Sequence, residues 1–258
     1  MMDEEDIIDA ILLDDRNDSL GLCSLQTTNP LHIVGDDWNE RFQHAISLPE
    51  STDEEKLLKY TLLTSVNRDF IATAETYAKT VISEYFLPEH LKSVKSGQFG
   101  GIAGGRKYCW RGILFKLADG QCGPYEGSDA AAAKAMGHDL RGAAHLARAA
   151  AAAPRLGVAL QALIDYRGFR MSAQALLPVD RSTLKAGSAD ACATPPRCPR
   201  ALGCPGLAAA LGGAARALGL KRHRVAGVEL DAGCDVEGHL GRDGRFYLLD
   251  TARVFPPE

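Results

Sequence analysis

The fold class is decided by residues 158–177, VALQALIDYRGFRMSAQALL, where two runs of β-type residues meet at an Arg-Gly dipeptide. Tight two-residue hairpin turns require a positive φ, which glycine adopts without steric cost. Pro178 follows the second run and cannot donate a hydrogen bond to a sheet, so the second strand ends there. The stretch predicts an antiparallel hairpin with strands at 158–166 and 169–177.

Three segments outside this hairpin extend the same architecture. Residues 107–117 alternate as a strand does, after a glycine-dense stretch. Residues 129–153 are rich in alanine and predict a helix whose buried face consists of small side chains. Residues 238–250 predict a last hairpin with a turn at 242–244. We therefore expect an α+β fold with helices packed on an antiparallel or mixed sheet. The strands of that sheet are expected at 107–117, 158–166, 169–177 and 245–250.

A two-helix N-terminal unit is expected ahead of the sheet. Ser51 and Glu54 form a capping-box pattern, and leucines follow at helical spacing. A second amphipathic pattern covers residues 70–85 and ends before Pro88. We expect these two helices to pack against each other.

Charge divides the chain unevenly. Residues 1–60 contain 15 Asp and Glu against 4 Lys and Arg, whereas the whole chain has a formal net charge of −4. An acidic segment with few apolar residues buries too little surface to fold, so we expect residues 1–34 to form a mobile leader. We expect residues 35–258 to form the folded domain, with a helical part at 35–95 and a sheet-containing part at 96–258.

Length and composition are those of a globular protein, with 258 residues, of which 46% are hydrophobic and 24% charged. No run of about 18 apolar residues occurs, so we expect no insertion into a membrane. The acidic N-terminus differs from the basic start of a secretory or mitochondrial presequence, so we expect a cytoplasmic protein. Nothing in the sequence indicates an oligomeric state.

The seven cysteines are an odd number in a long chain, which argues against a disulfide framework. Cys192, Cys198 and Cys204 lie six residues apart in a Cys-rich loop at residues 191–205. Zinc sites use closely spaced ligand pairs, typically Cys-x-x-Cys, because one tight turn supplies two ligands. We therefore expect free thiols and no metal site.

Ten short segments occur in one order along the chain. They are DWNERFQ at 37–43, GGIAGGRKY at 100–108, GILFK at 112–116, AKAMGHDLRG at 133–142, DYRGFR at 165–170 leading to LLP at 176–178, GSAD at 187–190, and DVEGH at 235–239 followed by YLLD at 247–250 and FPPE at 255–258. This series resembles the Clu domain of the clustered-mitochondria family over roughly residues 35–258. The resemblance implies a non-enzymatic cytosolic module that acts in mitochondrial distribution. It also implies contacts with messenger RNA, the translation machinery or proteins of the mitochondrial surface.

Three departures from the family pattern accompany the resemblance. Full-length members carry a ubiquitin-like N-terminal region and C-terminal tetratricopeptide repeats, neither of which occurs in this sequence, so we expect a stand-alone Clu domain. The Cys-rich stretch 191–205 does not match the family pattern. Asp139 stands where the pattern prefers Glu.

An alternative interpretation is a kinase-like nucleotide-binding domain with ATP and Mg²⁺ as ligands. Protein kinases cover the phosphates with a glycine-rich loop, contact them with a strand lysine and hold Mg²⁺ with an aspartate. Residues 97–105 are glycine-dense, Lys116 lies on a predicted strand, and Asp250 ends another. In this alternative, Asp235 and His239 belong to the catalytic loop.

The glycine spacing fits neither G-x-G-x-x-G nor G-x-x-x-x-G-K-[ST], and neither Asp-Phe-Gly nor His-Arg-Asp occurs. We therefore expect no catalytic residue and no cofactor. Asp235, His239 and Asp250 are then expected to form a polar network that joins the last hairpin to the core.

Basic residues near the end of the chain are candidates for contacts with RNA phosphates. Few aromatic side chains are interleaved with them, so stacking on bases has few platforms. The alternative is that they pair with nearby aspartates across strands. The candidates are Lys221, Arg222, Arg224, Arg242 and Arg245.

Overall fold

The computed structural model describes residues 37–97, 106–121, 125–150, 153, 155–187, 204–225, 228–233 and 236–255. Several predictions concern residues outside these ranges: the acidic leader, most of the glycine-dense stretch, Asp235 and the Cys-rich loop up to residue 203.

Two helices form the N-terminal unit, α1 (Trp38–Ser47) and α2 (Asp53–Ser83). The unit is confirmed, but its helices differ from the predicted pair. The two predicted helices are one helix of 31 residues, because no glycine or proline interrupts residues 53–83. The capping box is also one residue later than predicted, at Thr52 and Glu55.

Two further α-helices occur in the described ranges, α3 (Asp129–Ala149) and α4 (Pro205–Ala217), and α3 ends four residues before the predicted boundary at 153. The described residues contain ten strands. These are β1 (Lys107–Trp110), β2 (Ile113–Leu117), β3 (Leu156–Val158), β4 (Gln161–Tyr166), β5 (Phe169–Ala175), β6 (Leu184–Ala186), β7 (His223–Val225), β8 (Val228–Leu230), β9 (Glu237–Leu240) and β10 (Phe246–Leu249).

The strands form two four-stranded sheets, whereas one sheet was predicted. The first has the order β1-β2-β5-β4 and is antiparallel throughout. The second has the order β3-β10-β9-β6, with β3 parallel to β10. The predicted strand at 158–166 is divided between them, because the chain leaves the second sheet after Val158 and enters the first at Gln161. A separate hairpin consists of β7 and β8.

The predicted strand at 107–117 is a hairpin that turns at Arg111-Gly112. Both turn residues have positive φ, 50° and 71°, as do Arg167 and Gly168 in the β4–β5 turn, 49° and 82°. Positive φ at both central residues matches the twist of the flanking strands in a two-residue loop. The same dipeptide therefore makes the same turn twice.

Two large hydrophobic clusters hold the layers together. The first lies between α2 and the first sheet and includes Phe70, Phe115 and Met171, each fully buried. The second lies between α3, α4 and the second sheet and includes Leu207 and Phe246. None of the helices in the described ranges has an apolar stretch long enough to cross a membrane.

Buried polar side chains join α1 to the second sheet. Asn39 Nδ2 donates to the Tyr247 hydroxyl oxygen at 2.9 Å, and Gln43 Nε2 donates to the carbonyl of Val158 at 2.7 Å. The Tyr247 hydroxyl in turn donates to the Asp243 carboxylate at 2.6 Å. Burial raises the pKa of Tyr247, so this hydroxyl stays protonated as the network requires.

Candidate functional site

Two lysines face each other on the first sheet. Lys107 on β1 is directly opposite Lys116 on β2, and the register continues to Ser172 on β5. Residues in such a pair have Cβ atoms about 4.5–5.5 Å apart and point to the same face. The neighbouring residues Tyr108 and Phe115 point to the opposite face, where they are buried against α2. The lysines therefore share the half-buried face away from α2.

Asp250 lies at the end of β10, where α3 holds the backbone. The carboxylate of Asp139 on α3 accepts hydrogen bonds from the Thr251 backbone N–H at 2.7 Å and from its hydroxyl at 2.8 Å. Gly142 on α3 permits this approach, since a Cβ there would lie 2.2 Å from the Thr251 carbonyl oxygen. Asp250 itself is exposed and has φ 56°, a left-handed conformation that Asp tolerates better than most residues.

The pKa of Lys107 depends on charges from both sheets. Burial lowers the pKa of Lys107, the charge of Lys116 lowers it further, and the charge of Asp250 opposes both. Burial and the charge of Asp250 also raise the pKa of Tyr125, which precedes α3. The charges of Lys116 and Asp250 thus act in opposite directions on the half-buried Lys107.

His239 belongs to a hydrogen-bonded group within the second sheet. Its side chain is buried, with Nδ1 3.0 Å from the Thr183 hydroxyl and Nε2 3.4 Å from the Glu237 carboxylate. Asp235, the other residue assigned to the catalytic loop in the kinase-like alternative, lies outside the described residues. Of the glycine-dense stretch, Gly97 is described, and its N–H donates to the carbonyl of Lys107 at 3.0 Å.

The arginines predicted to contact RNA are paired with carboxylates. Arg222 contacts Asp231 at 2.9 Å, and Arg224 contacts Glu229 at 3.3 Å, both within or beside the β7–β8 hairpin. Arg245 bridges Glu40 of α1 at 2.9 Å and Asp243 at 3.0 Å. Arg242 pairs with Asp180, and Lys221 is exposed. RNA contact by these residues stays a prediction, and the pairing reduces the positive charge that they present.

The carboxylate of Asp180, the partner of Arg242, is buried and hydrogen-bonded. Its side chain is 3% exposed and accepts from the Ser182 backbone N–H at 2.6 Å and from the Ser182 hydroxyl at 2.6 Å. Burial raises the pKa of Asp180, but the hydrogen bonds and Arg242 outweigh it, so the pKa lies below its ordinary value.

We expect Asp180→Asn to lower the free energy of unfolding by about 1–3 kcal/mol near neutral pH. A carboxyl whose pKa is lower in the folded state stabilises above the unfolded pKa, and this stabilisation is lost as the pH falls. The difference between wild type and variant should therefore shrink below about pH 4. Urea unfolding across this range measures it. A difference that stays constant with pH would contradict the assignment to the ionised carboxylate.

Sequence reasoning missed two residues of the candidate site, Lys107 and Tyr125. The signal for Lys107 was present in the Arg111-Gly112 dipeptide, because a two-residue turn there places residue 107 opposite residue 116. Tyr125 follows a segment outside the described ranges and had no comparable signal. Within the described ranges, no group of three or more His, Cys, Asp or Glu side chains is arranged to hold a metal ion.

The fold and the site define an α+β domain of two sheets, with a lysine pair on neighbouring strands of one sheet and an aspartate directly after a strand of the other. Residues 37–258 match the family described as Clustered mitochondria, and the chain belongs to that family.

Relatives named "Clustered mitochondria protein homolog" occur in Anopheles gambiae, at 32% identity, and in Homo sapiens, at 31%. A relative named "Protein clueless" in Drosophila ananassae is 31% identical. Each alignment covers 88% of this chain but between 15% and 17% of the relative. The chain thus spans about a sixth of the length of these relatives. No solved structure matches the chain.

Proposed function

We propose that this chain acts in the distribution of mitochondria as a binding module. The observation that supports the proposal is the match to the clustered-mitochondria family over residues 37–258, with relatives named for that process. We infer action in the cytoplasm, where a module of this kind reaches both the mitochondrial surface and the translation machinery.

We further propose that the module contacts a protein of the translation machinery or of the mitochondrial surface through the first half of α2. Leu57, Leu58 and Tyr60 are 71%, 55% and 56% exposed. The helix packs on the first sheet only from Val66 onward. Adjacent large apolar side chains in water favour burial against a protein partner.

The ion pairs of the candidate arginines favour a protein partner over RNA. RNA binding requires basic side chains that can replace counterions on the phosphates. Arg222, Arg224 and Arg245 already have carboxylate partners, and releasing each one leaves an unpaired acid. An alternative proposal is that these arginines and Lys221 contact RNA. Salt-dependent binding of RNA that is lost in the double variant Arg222→Gln, Arg224→Gln would support this alternative.

A chimaeric protein tests the proposal that this chain acts in mitochondrial distribution through a protein partner. Residues 37–258 replace the matching segment of a full-length relative, in cells that lack the relative and whose mitochondria are clustered. We expect the chimaera to restore the spread of mitochondria, and Leu57→Glu with Leu58→Glu to abolish the restoration. Because both leucines are exposed, the double substitution should change the free energy of unfolding by no more than about 0.5 kcal/mol per site.

The matched control is Ala72→Glu with Thr76→Glu, which adds two charges to an exposed part of the same helix without removing a large apolar side chain. It should restore the distribution as the unmodified chimaera does. A chimaera that folds and is expressed equally but leaves the mitochondria clustered would contradict the proposed function. Equal restoration by the Leu57 and Leu58 variant would contradict the surface.

A further inference from the structure

We propose that residues 3–15 of this chain dock on an aromatic surface at the end of α2 and the β4–β5 turn. The segment lies outside the described ranges, whereas the surface consists of described residues. Leu58, on the surface proposed for a protein partner, lies about 35–40 Å from the end of α2, because a helix rises 1.5 Å per residue. The docking is therefore separate from that surface and does not depend on the proposed function.

Four aromatic side chains form the aromatic surface. Tyr85 and Phe86 come directly after α2, and Tyr166 and Phe169 are paired across the β4–β5 turn. The centroid of the Tyr85 ring lies 4.8 Å from that of Phe86 and 5.1 Å from that of Phe169. Phe86 is 84% exposed. An exposed cluster of rings favours burial against apolar side chains of a ligand.

Two arginines lie over these rings. The Cζ atom of Arg106 is 4.7 Å from the centroid of the Tyr85 ring, and that of Arg167 is 5.0 Å from the centroid of the Tyr166 ring. Both arginines are exposed, and within the described residues neither forms an ion pair. Cations that lie on rings can also bind carboxylates at the edge of an apolar contact. The surface therefore favours a ligand that is both apolar and acidic.

The carboxylates on the elements that form the surface already have partners. Asp165 is bound through both oxygens by Arg170, Glu75 pairs with Lys79, and Glu84 accepts hydrogen bonds from Ser93. These contacts leave the two arginines over the rings as the cations that an acidic ligand would meet.

An open groove continues the aromatic surface. Tyr166, Arg167 and Phe169 also line a cavity of about 750 Å³ between the β4–β5 turn and the start of α3. Asp129 at the start of α3 is part of this lining, and its carboxylate accepts a hydrogen bond from the Gly120 N–H at 2.7 Å. Cavities of this volume bury most of a small ligand. The groove therefore has room for several aliphatic side chains next to the rings.

The sequence DEEDIIDAILLDD at residues 3–15 has both properties that the surface favours. Seven of its thirteen residues are Asp or Glu, none is Lys or Arg, and five are Ile or Leu. A segment that buries too little surface to fold alone can still become ordered on a preformed surface. The acidic residues complement the two arginines, and the aliphatic residues complement the rings.

The chain is long enough for this contact. Residues 16–36 are 21 residues that join the segment to Asp37, the first residue that the structure describes. Fully extended, they span about 70 Å. A domain of about 220 residues is only about 45 Å across. Since both partners belong to one chain, the effective concentration is on the order of millimolar, so that even a weak contact is occupied.

Photo-crosslinking in the full chain identifies what covers the surface. Benzoylphenylalanine takes the place of Phe86, whose exposure means that the core is not disturbed. Mass spectrometry after irradiation should find the main crosslink within residues 3–15 of the same chain. Benzoylphenylalanine at Tyr60, which is 56% exposed on α2, is the matched control and should not crosslink to this segment. A main crosslink from position 86 to a second copy, or none to residues 3–15, would overturn the proposal.

Charge reversal distinguishes specific docking from chance contact within one chain. Arg106→Glu with Arg167→Asp should lower the crosslink yield by about tenfold, since two charge-assisted contacts are lost. Aspartate is chosen at position 167 because φ there is 49°, which Asp tolerates. Asp6→Lys with Asp9→Lys should lower the yield similarly, and the combination of all four substitutions should restore most of it. An equal yield in every chain, or no restoration in the combination, would contradict docking through these charges.

Discussion

Phe70→Ala is expected to lower the free energy of unfolding by about 3–5 kcal/mol, because a fully buried aromatic side chain is removed and a cavity remains. Phe70 has no exposed surface and lies at the middle of α2, in the cluster between this helix and the first sheet. Its ring also meets Trp38 of α1 edge to face, with centroids 5.5 Å apart. One substitution therefore weakens the contacts of α2 with both α1 and the sheet.

Chemical denaturation followed by circular dichroism measures this loss. Leu58→Ala is the matched control on the same helix, since Leu58 is 55% exposed and its truncation should cost less than about 0.5 kcal/mol. Similar losses for the two variants would show that α2 does not pack as described. Partial unfolding confined to α2 in Phe70→Ala would show that the helix and the sheet unfold separately.

Gly142→Ala is expected to destabilise the protein by about 3 kcal/mol, although alanine is the better helix former. The added Cβ would lie 2.2 Å from the carbonyl oxygen of Thr251 and 2.9 Å from its Cβ, and a backbone atom cannot move aside as a flexible side chain can. Separation of α3 from this segment would also weaken the hydrogen bonds from Thr251 to Asp139. Urea unfolding compared with the wild type measures the effect.

Gly137→Ala on the same helix is the opposite case. The nearest heavy atom to its added Cβ is Arg170 Nη1 at 3.9 Å, so the methyl group fits. The higher helix propensity of alanine should then stabilise the protein by about 0.5–1 kcal/mol. Two identical substitutions five positions apart should thus change stability in opposite directions. Destabilisation of equal size by both would contradict the close approach of α3 to Thr251.

The contrast between Gly137 and Gly142 also shows what local sequence cannot report. Both glycines interrupt the same alanine-rich run and look equivalent in sequence. One is required by a contact with residue 251, more than a hundred positions away, and the other is not. Helix propensity depends on neighbouring residues in the chain, whereas a close approach depends on which elements meet.

The α+β class, the β4–β5 hairpin at Arg167-Gly168 and the last hairpin before Asp250 could be predicted from the amino-acid sequence. The family could be predicted as well, through motifs that occur in one order along the chain. These features rest on local patterns: the side-chain period of strands, the conformational freedom of glycine in tight turns and the order of short segments.

Only the assembled fold shows that the strands form two sheets, that α2 is a single helix packed through its second half, and that Lys107 lies opposite Lys116. A periodic pattern shows which side of an element is buried but not what it is buried against. Residues 159–160 carry the chain from one sheet to the other without any local signal, because that crossing depends on the helices that cover each sheet.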